Sequence, residues 1–352
     1  MFKEIGSEFW LDNIINVSNS NRKDWLTQFG EITLTASGRG AITLLLQQVK
    51  PKYKTALLPS YICNSMILPF IEEGYYCYFY KINYDLSPDI ESIDLSKKIG
   101  IFVHMGYYGF PTNANLSNVI EDFRSRSTII IEDVTHTLFS KYDRNLQNDF
   151  YVGSIRKWLG VPSGGFLGSK ELEIKNIEST NDYFSELRLQ ALLEKSEYIK
   201  TNDNELKLSF LDKFAIAEEL LAKDLSPYQI DNISLNIINS LDINDLVNKR
   251  RSNFQFLSAE MTKFKEIKPF FNELSNNICP IFYPIMIKEG RDYVQKELIK
   301  NRIYCPIHWP KPDQIENKSL EIYNSILSIP CDQRYDVSDM KRILSILKTI
   351  IS

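Results

Sequence analysis

The chain has 352 residues, 43% of them hydrophobic and 24% charged, the composition of a folded globular protein rather than a disordered one. A net charge of -4 and the lack of a long basic run exclude the electrostatic footprint of a nucleic-acid binder. No stretch approaches the roughly 20 apolar residues that a membrane helix needs, so neither nucleic acid nor membrane is an expected partner.

Taken in chain order, MFKEIGSEFWLDN carries Lys3, Glu4 and Glu8 where a signal peptide would have its apolar core. Cys63, Cys77, Cys279, Cys305 and Cys331 are odd in number, scattered and without a CxxC, which predicts reduced thiols and a cytoplasmic protein. Only His104, His136 and His308 occur, none at ligand spacing, so no metal site is expected. Residues 1–33 read as an entry segment with one short helix. LTASGRGAITLLLQQV then sets Ser37, Gly38, Arg39 and Gly40 before an apolar helical run, which suits either plain capping or a phosphate at a helix start. TALLPSY, YYCYFYKI and GIFVHMG read as strands, with ICNSMILPFIEEG and LSNVIEDFRSR as the helices between and after them. This alternation predicts an α/β fold with a mainly parallel sheet flanked by helices. The length suggests a large domain over 34–250 and a small C-terminal α+β domain over 251–352.

The stretch STIIIEDVTHTLFSKYDRNLQNDFYVGSIRKWLGVPSGGFLG is the densest in chemistry. TIII reads as a buried strand ending on Glu132 and Asp133, and carboxyl ends of strands are where open α/β sheets place ligands. DFYVGSI delivers Ser154, Arg156 and Lys157 from a second strand end, before a Gly-Gly pair that lets backbone pass closely. A lysine for a Schiff base and an acid for the pyridine nitrogen are what a pyridoxal 5'-phosphate (PLP) site requires.

SGRGAITLLL, LPSYICNSM, IFVHMGYYGFP, IIIEDVTHTLFS, SIRKWLGVPSGG, IYCPIHWP and PCDQRYDVSDM together resemble, in order and spacing, the DegT-type (DegT/DnrJ/StrS) aminotransferases among the fold-type I PLP enzymes. By that resemblance Asp133 pairs with the pyridine nitrogen, Lys157 forms the Schiff base and moves the substrate proton, and His136 sits against the cofactor ring. Ser154 and the backbone at Gly38 and Arg39 would hold the phosphate. Tyr61 or Cys63 would cover the ring, the aromatic Tyr61 being preferred, and His308, Arg334 and Tyr335 are candidate substrate contacts. An ordinary aspartate pKa of about 3.9 would leave Asp133 ionised at neutral pH.

The chain departs from the commoner pattern of the family in Arg39 after Ser-Gly and in the three-residue step from Ser154 to Lys157. The resemblance implies a homodimer and a transaminase that moves an amino group from an amino acid, glutamate being expected, to a keto acceptor. A nucleotide-linked keto sugar for surface polysaccharide is the expected acceptor. Another PLP reaction, such as a dehydratase or lyase, or a non-catalytic binding protein on the same fold, are the alternatives.

Overall fold

The computed structural model describes residues 3–11, 24–142, 144, 147–170, 177, 179–316 and 319–351. In chain order the elements are β1 (Ile5–Gly6), β2 (Glu31–Thr35), α1 (Gly38–Gln48), β3 (Thr55–Pro59), α2 (Asn64–Glu72), β4 (Tyr76–Tyr80) and β5 (Ile101–Met105). Then come α3 (Ser117–Ser125), β6 (Ile129–Asp133), β7 (Phe150–Ser154), β8 (Gly165–Ser169), α4 (Asp182–Thr201), α5 (Asn204–Lys223), α6 (Asn232–Asn239) and α7 (Ile243–Met261). The last are β9 (Lys268–Pro269), β10 (Tyr283–Met286), α8 (Arg291–Lys300), β11 (Ile303–Tyr304), α9 (Leu320–Ser325), β12 (Ile326–Ile329) and α10 (Val337–Ile351).

Seven strands form one sheet in the order β2-β8-β7-β6-β5-β3-β4. All neighbours from β4 across to β7 are parallel, and β8 alone runs antiparallel to both β7 and β2. A parallel strand is covered on both faces and therefore reads as a continuous apolar run; β5 (IFVHM) is buried along its whole length. α1 packs on β7 and β8, and α3 on β6. The carboxyl ends of β5, β6 and β7 thus come out side by side, with Met105 in register with Asp133.

α4 stops at Asn202, in the left-handed region at φ 59°, and the Asp203 carboxylate caps α5 by accepting from Glu205 N–H. The tight reversal makes α4 and α5 a helical hairpin packed along its length, so that residues on the two helices face each other.

The second part of the chain builds a three-stranded antiparallel sheet in the order β12-β10-β9. Its core contains Phe254, Leu257, Tyr283, Ile303, Leu327 and Ile343, and also Ile5 from the far end of the sequence. β1 pairs in parallel with β11, Ile5 opposite Ile303, so the entry segment is a strand of the C-terminal layer as well as a short 3-10 helix over Asp24–Phe29. α7 belongs to both cores, burying Leu246 in the first and Phe254, Leu257 and Met261 in the second.

Candidate active site

Strand alternation separates the two acids at the end of β6. Glu132 turns to the far face, where Arg144 donates to it at 2.6 Å and Asn148 at 2.8 Å. Asp133 turns to a cavity shared with Ser37, Gly38, Arg39, Cys63, His136 and, from the next strand, Ser154 and Lys157. Burial pushes the Asp133 carboxyl up to about 6, against the hydrogen bonds from Thr135 that pull it down. This differs from the ordinary carboxylate pKa expected from the sequence, because water is excluded around it.

Thr135 ties the site together. Its N–H donates to Asp133 Oδ1 at 2.7 Å, its hydroxyl accepts from Ser154 N–H at 3.0 Å, and its carbonyl accepts from Trp158 Nε1 at 2.7 Å. The ends of β6 and β7 and the turn that carries Lys157 are therefore pinned to one residue. Lys157 itself lies in a 3-10 turn, is exposed to the cavity, and makes no hydrogen bond or ion pair with a described residue.

His136 is buried and its Nδ1 accepts from Tyr108 N–H at 3.3 Å, which leaves the ring proton on Nε2. Burial, aided by Lys157, pushes its pKa down to about 3. At the other end of the cavity Ser37 uses its hydroxyl as the cap of α1, accepting from Gly40 N–H at 3.0 Å. Gly38 lies against Ser154, where an added Cβ would stand 3.3 Å from the Ser154 Cβ. Gly165 is tighter, since a Cβ there would come 2.2 Å from the Ser37 carbonyl carbon, so the Gly-Gly pair is what lets β8 reach the start of α1.

Tyr61 does not stand where the sequence reading preferred it. It is wholly buried beside the cavity, its hydroxyl donating to the His308 carbonyl, and Ile62 and Cys63 take the wall position. His308 lines the inner cavity and also an outer one of about 420 Å³, and its Nδ1 shares a hydrogen bond of 2.8 Å with the Ser328 hydroxyl. Arg334 borders the outer cavity but is committed to Asp332 at 2.7 and 2.9 Å and to the Glu8 carbonyl. Tyr335, expected as a substrate contact, lines neither cavity; it is buried, and its hydroxyl accepts from Gly6 N–H at 2.8 Å.

Thr135, Arg188 and Glu218 were not picked out from the sequence, and Arg156 was named beside Lys157 but given no role. Arg156 and Glu218 line the inner cavity, and Arg188 joins them from α4. Glu218 is drawn well below the carboxylate range: burial raises it, and Arg156, Lys157 and Arg188 more than reverse that. Only the Asp133-x-Thr135 spacing, which suits a side chain accepting from the backbone two residues on, could have marked any of them in advance.

The donor set fits PLP by its chemistry. A buried carboxylate, a helix start and, among the described residues, an unpaired lysine and buried guanidinium nitrogens without partners at Arg39 and Arg156 surround one cavity. No protein-family model matches the sequence, and no curated protein does. Solved structures do match. Helicobacter pylori PseC, an aminotransferase involved in the biosynthesis of pseudoaminic acid, superposes with a TM-score of 0.69 at 14% identity, covering 99% of each chain. A DegT DnrJ EryC1 StrS aminotransferase from Brucella abortus gives 0.63 at 14% identity over 94% of this chain and 89% of that one. The PMP form of a putative sugar aminotransferase from Streptococcus pneumoniae gives 0.64 at 14% identity, over 97% and 91%. The chain therefore has the fold of the DegT-type aminotransferases along nearly its whole length.

Proposed function

We propose that the protein is a PLP-dependent aminotransferase acting on a keto sugar. The observation that carries the reading is the presentation of Asp133 and Lys157 from adjacent parallel strands into one cavity whose far end is the start of α1. Asp133 would hold the pyridine nitrogen, Lys157 the aldehyde carbon, and Ser154 with the first residues of α1 the phosphate. Cys63 and His136 line the space for the ring. PLP bound there supplies an electron sink for the carbon that loses a proton.

The chain's own residues do the rest. Lys157 Nζ would move the proton between the donor's α-carbon and the cofactor in the first half-reaction and between the cofactor and the acceptor carbon in the second, a role suited by its lack of ion pairs among the described residues. Asp133 carries the counter-charge, in a site dry enough for the charge to act strongly. His136 stays neutral and serves as a fixed wall and hydrogen-bond donor through Nε2. Arg156, Lys157, Phe282 and His308 border both cavities, which supports reading the outer one as the acceptor's way in.

Glutamate is the donor and a nucleotide-linked keto sugar for surface polysaccharide the acceptor in this reading; the sugar aminotransferase that shares the fold supports its sugar part alone. The working unit would be a homodimer; Tyr183, Leu208 and Leu211 on α4 and α5 offer exposed apolar surface for a second copy. A cytoplasmic setting suits the five free cysteines. Mixing the PLP-loaded protein with glutamate tests the reading. Conversion to PMP with release of 2-oxoglutarate, reversed by a nucleotide-linked keto sugar, is expected. A cofactor unchanged by glutamate would leave a binding protein or another PLP reaction.

A further inference from the structure

Three guanidiniums converge on one carboxylate at the Ser154 end of the inner cavity. Glu218 accepts from Arg39 at 3.4 Å, from Arg188 at 3.5 Å and from Arg156, and Arg188 also reaches Glu8 at 3.4 Å. Two carboxylates stand against three guanidiniums, so one positive charge is left over before Lys157 is counted. Arg39 Nη1, Arg156 Nε and Arg188 Nε are buried without a hydrogen-bond partner. Ionised N–H groups are costly to bury unpaired, so the surplus positive charge favours a further anion beside Arg39 and Arg156, which line the cavity. The start of α1 beside it adds its own partial positive charge.

We infer that this cluster takes a phosphomonoester dianion and that Glu218 is its internal competitor, phosphate and the Glu218 carboxylate drawing on the same Arg39 and Arg156 guanidiniums. The inference rests on the reading of the cavity as a PLP site, and it adds two arginine side chains to Ser154 and the α1 backbone at the phosphate end. A phosphate carries about -1.5 to -2 charges at neutral pH, enough to take up the surplus, and planar guanidiniums bind it in paired hydrogen bonds. Glu218 is 42% exposed while Arg188 is 3% exposed, so Arg188 is the fixed anchor and Glu218 the side chain with room to turn. Glu218 keeps like charges together when phosphate leaves and holds the affinity below what the arginines alone would give. A cofactor that must be loaded and exchanged gains from both.

Inorganic phosphate is the probe, titrated calorimetrically into Lys157→Ala, which removes any covalent bond and isolates the anion term. Adding Glu218→Gln should tighten phosphate about tenfold, the scale of one charge-assisted hydrogen bond. Adding Arg156→Gln instead should weaken it by a similar factor, and Glu218→Asp, a gentler change that serves if Gln does not fold, should tighten it less. Phosphate bound equally or more weakly in both Glu218 variants would overturn the inference. A PLP adduct on Lys157 with no such tightening would leave the cofactor reading standing and this inference refuted; tightening without any PLP adduct would do the reverse.

Discussion

Burial holds the Asp133 carboxyl at about 6, above its ordinary 3.8, so folding disfavours its charged form. The sign follows: its contribution to stability is complete below pH 3.8 and is lost as pH rises through about 6. Without cofactor, Asp133→Asn should therefore be more stable than the parent by about 3 kcal/mol at pH 7.5, and no more stable at pH 3.5, in urea unfolding. With PLP the order should invert, because the amide cannot balance a protonated pyridine; the glutamate half-reaction should slow by about 10²–10³-fold in stopped flow. His136, pushed down to about 3, should show ring resonances that do not titrate between about pH 5 and 9. That Asp133 and Lys157 come to one cavity was legible in the sequence, because each closely follows an apolar run that makes a strand of the sheet. Thr135 was not, since two of its three hydrogen bonds run to residues of the next strand and turn that only folding brings near. The choice between Tyr61 and Cys63 was not legible, because an aromatic side chain suits a ring face and a buried hydroxyl cluster equally well by type.

The turn after β7 is held from behind by α7. Arg250 is wholly buried, lies 4.5 Å over the Trp158 ring, and donates to the Pro280 and Ile281 carbonyls at 3.2 and 2.9 Å. Gln333 adds a bond of 2.8 Å to the Trp158 carbonyl. Arg250→Met should keep much of the packing but leave carbonyls unpaired, lowering stability by about 1–3 kcal/mol for each in urea unfolding. At the opposite end, Gly165→Ala forces β8 and α1 apart at a 2.2 Å contact. About 1–3 kcal/mol of stability should go with it, together with phosphate affinity, measurable by the same melts and titrations. The Gly-Gly pair was readable as a close approach, but not which helix comes close. Arg188 on α4 and Glu218 on α5 meet across the helical hairpin, a pairing set by the reversal at Asn202 and not announced by the local sequence.

The two large cores of the described residues are joined through α7, whose Arg250 also backs the turn that carries Lys157. The sheet and its alternating helices were legible because hydrophobic period and length distinguish buried strands from amphipathic helices. The pairing of Ile5 with Ile303 was not, since nothing local in a two-residue strand names a partner some three hundred residues away. That pairing brings Gly6, Ser7, Glu8 and Phe9 to the wall of the outer cavity, so the start of the chain shapes that cavity. A ligand bound by the folded protein alone stabilises it, so PLP at 100 times its Kd should add about 2.7 kcal/mol and raise the Tm of the parent. Lys157→Ala should gain less. The most direct measurement is borohydride reduction of the PLP-treated protein followed by peptide mass spectrometry. The account predicts one pyridoxyl group, on the peptide that carries Lys157, and none on that peptide in Lys157→Ala. Labelling of another lysine alone, or no labelling at all, would contradict it.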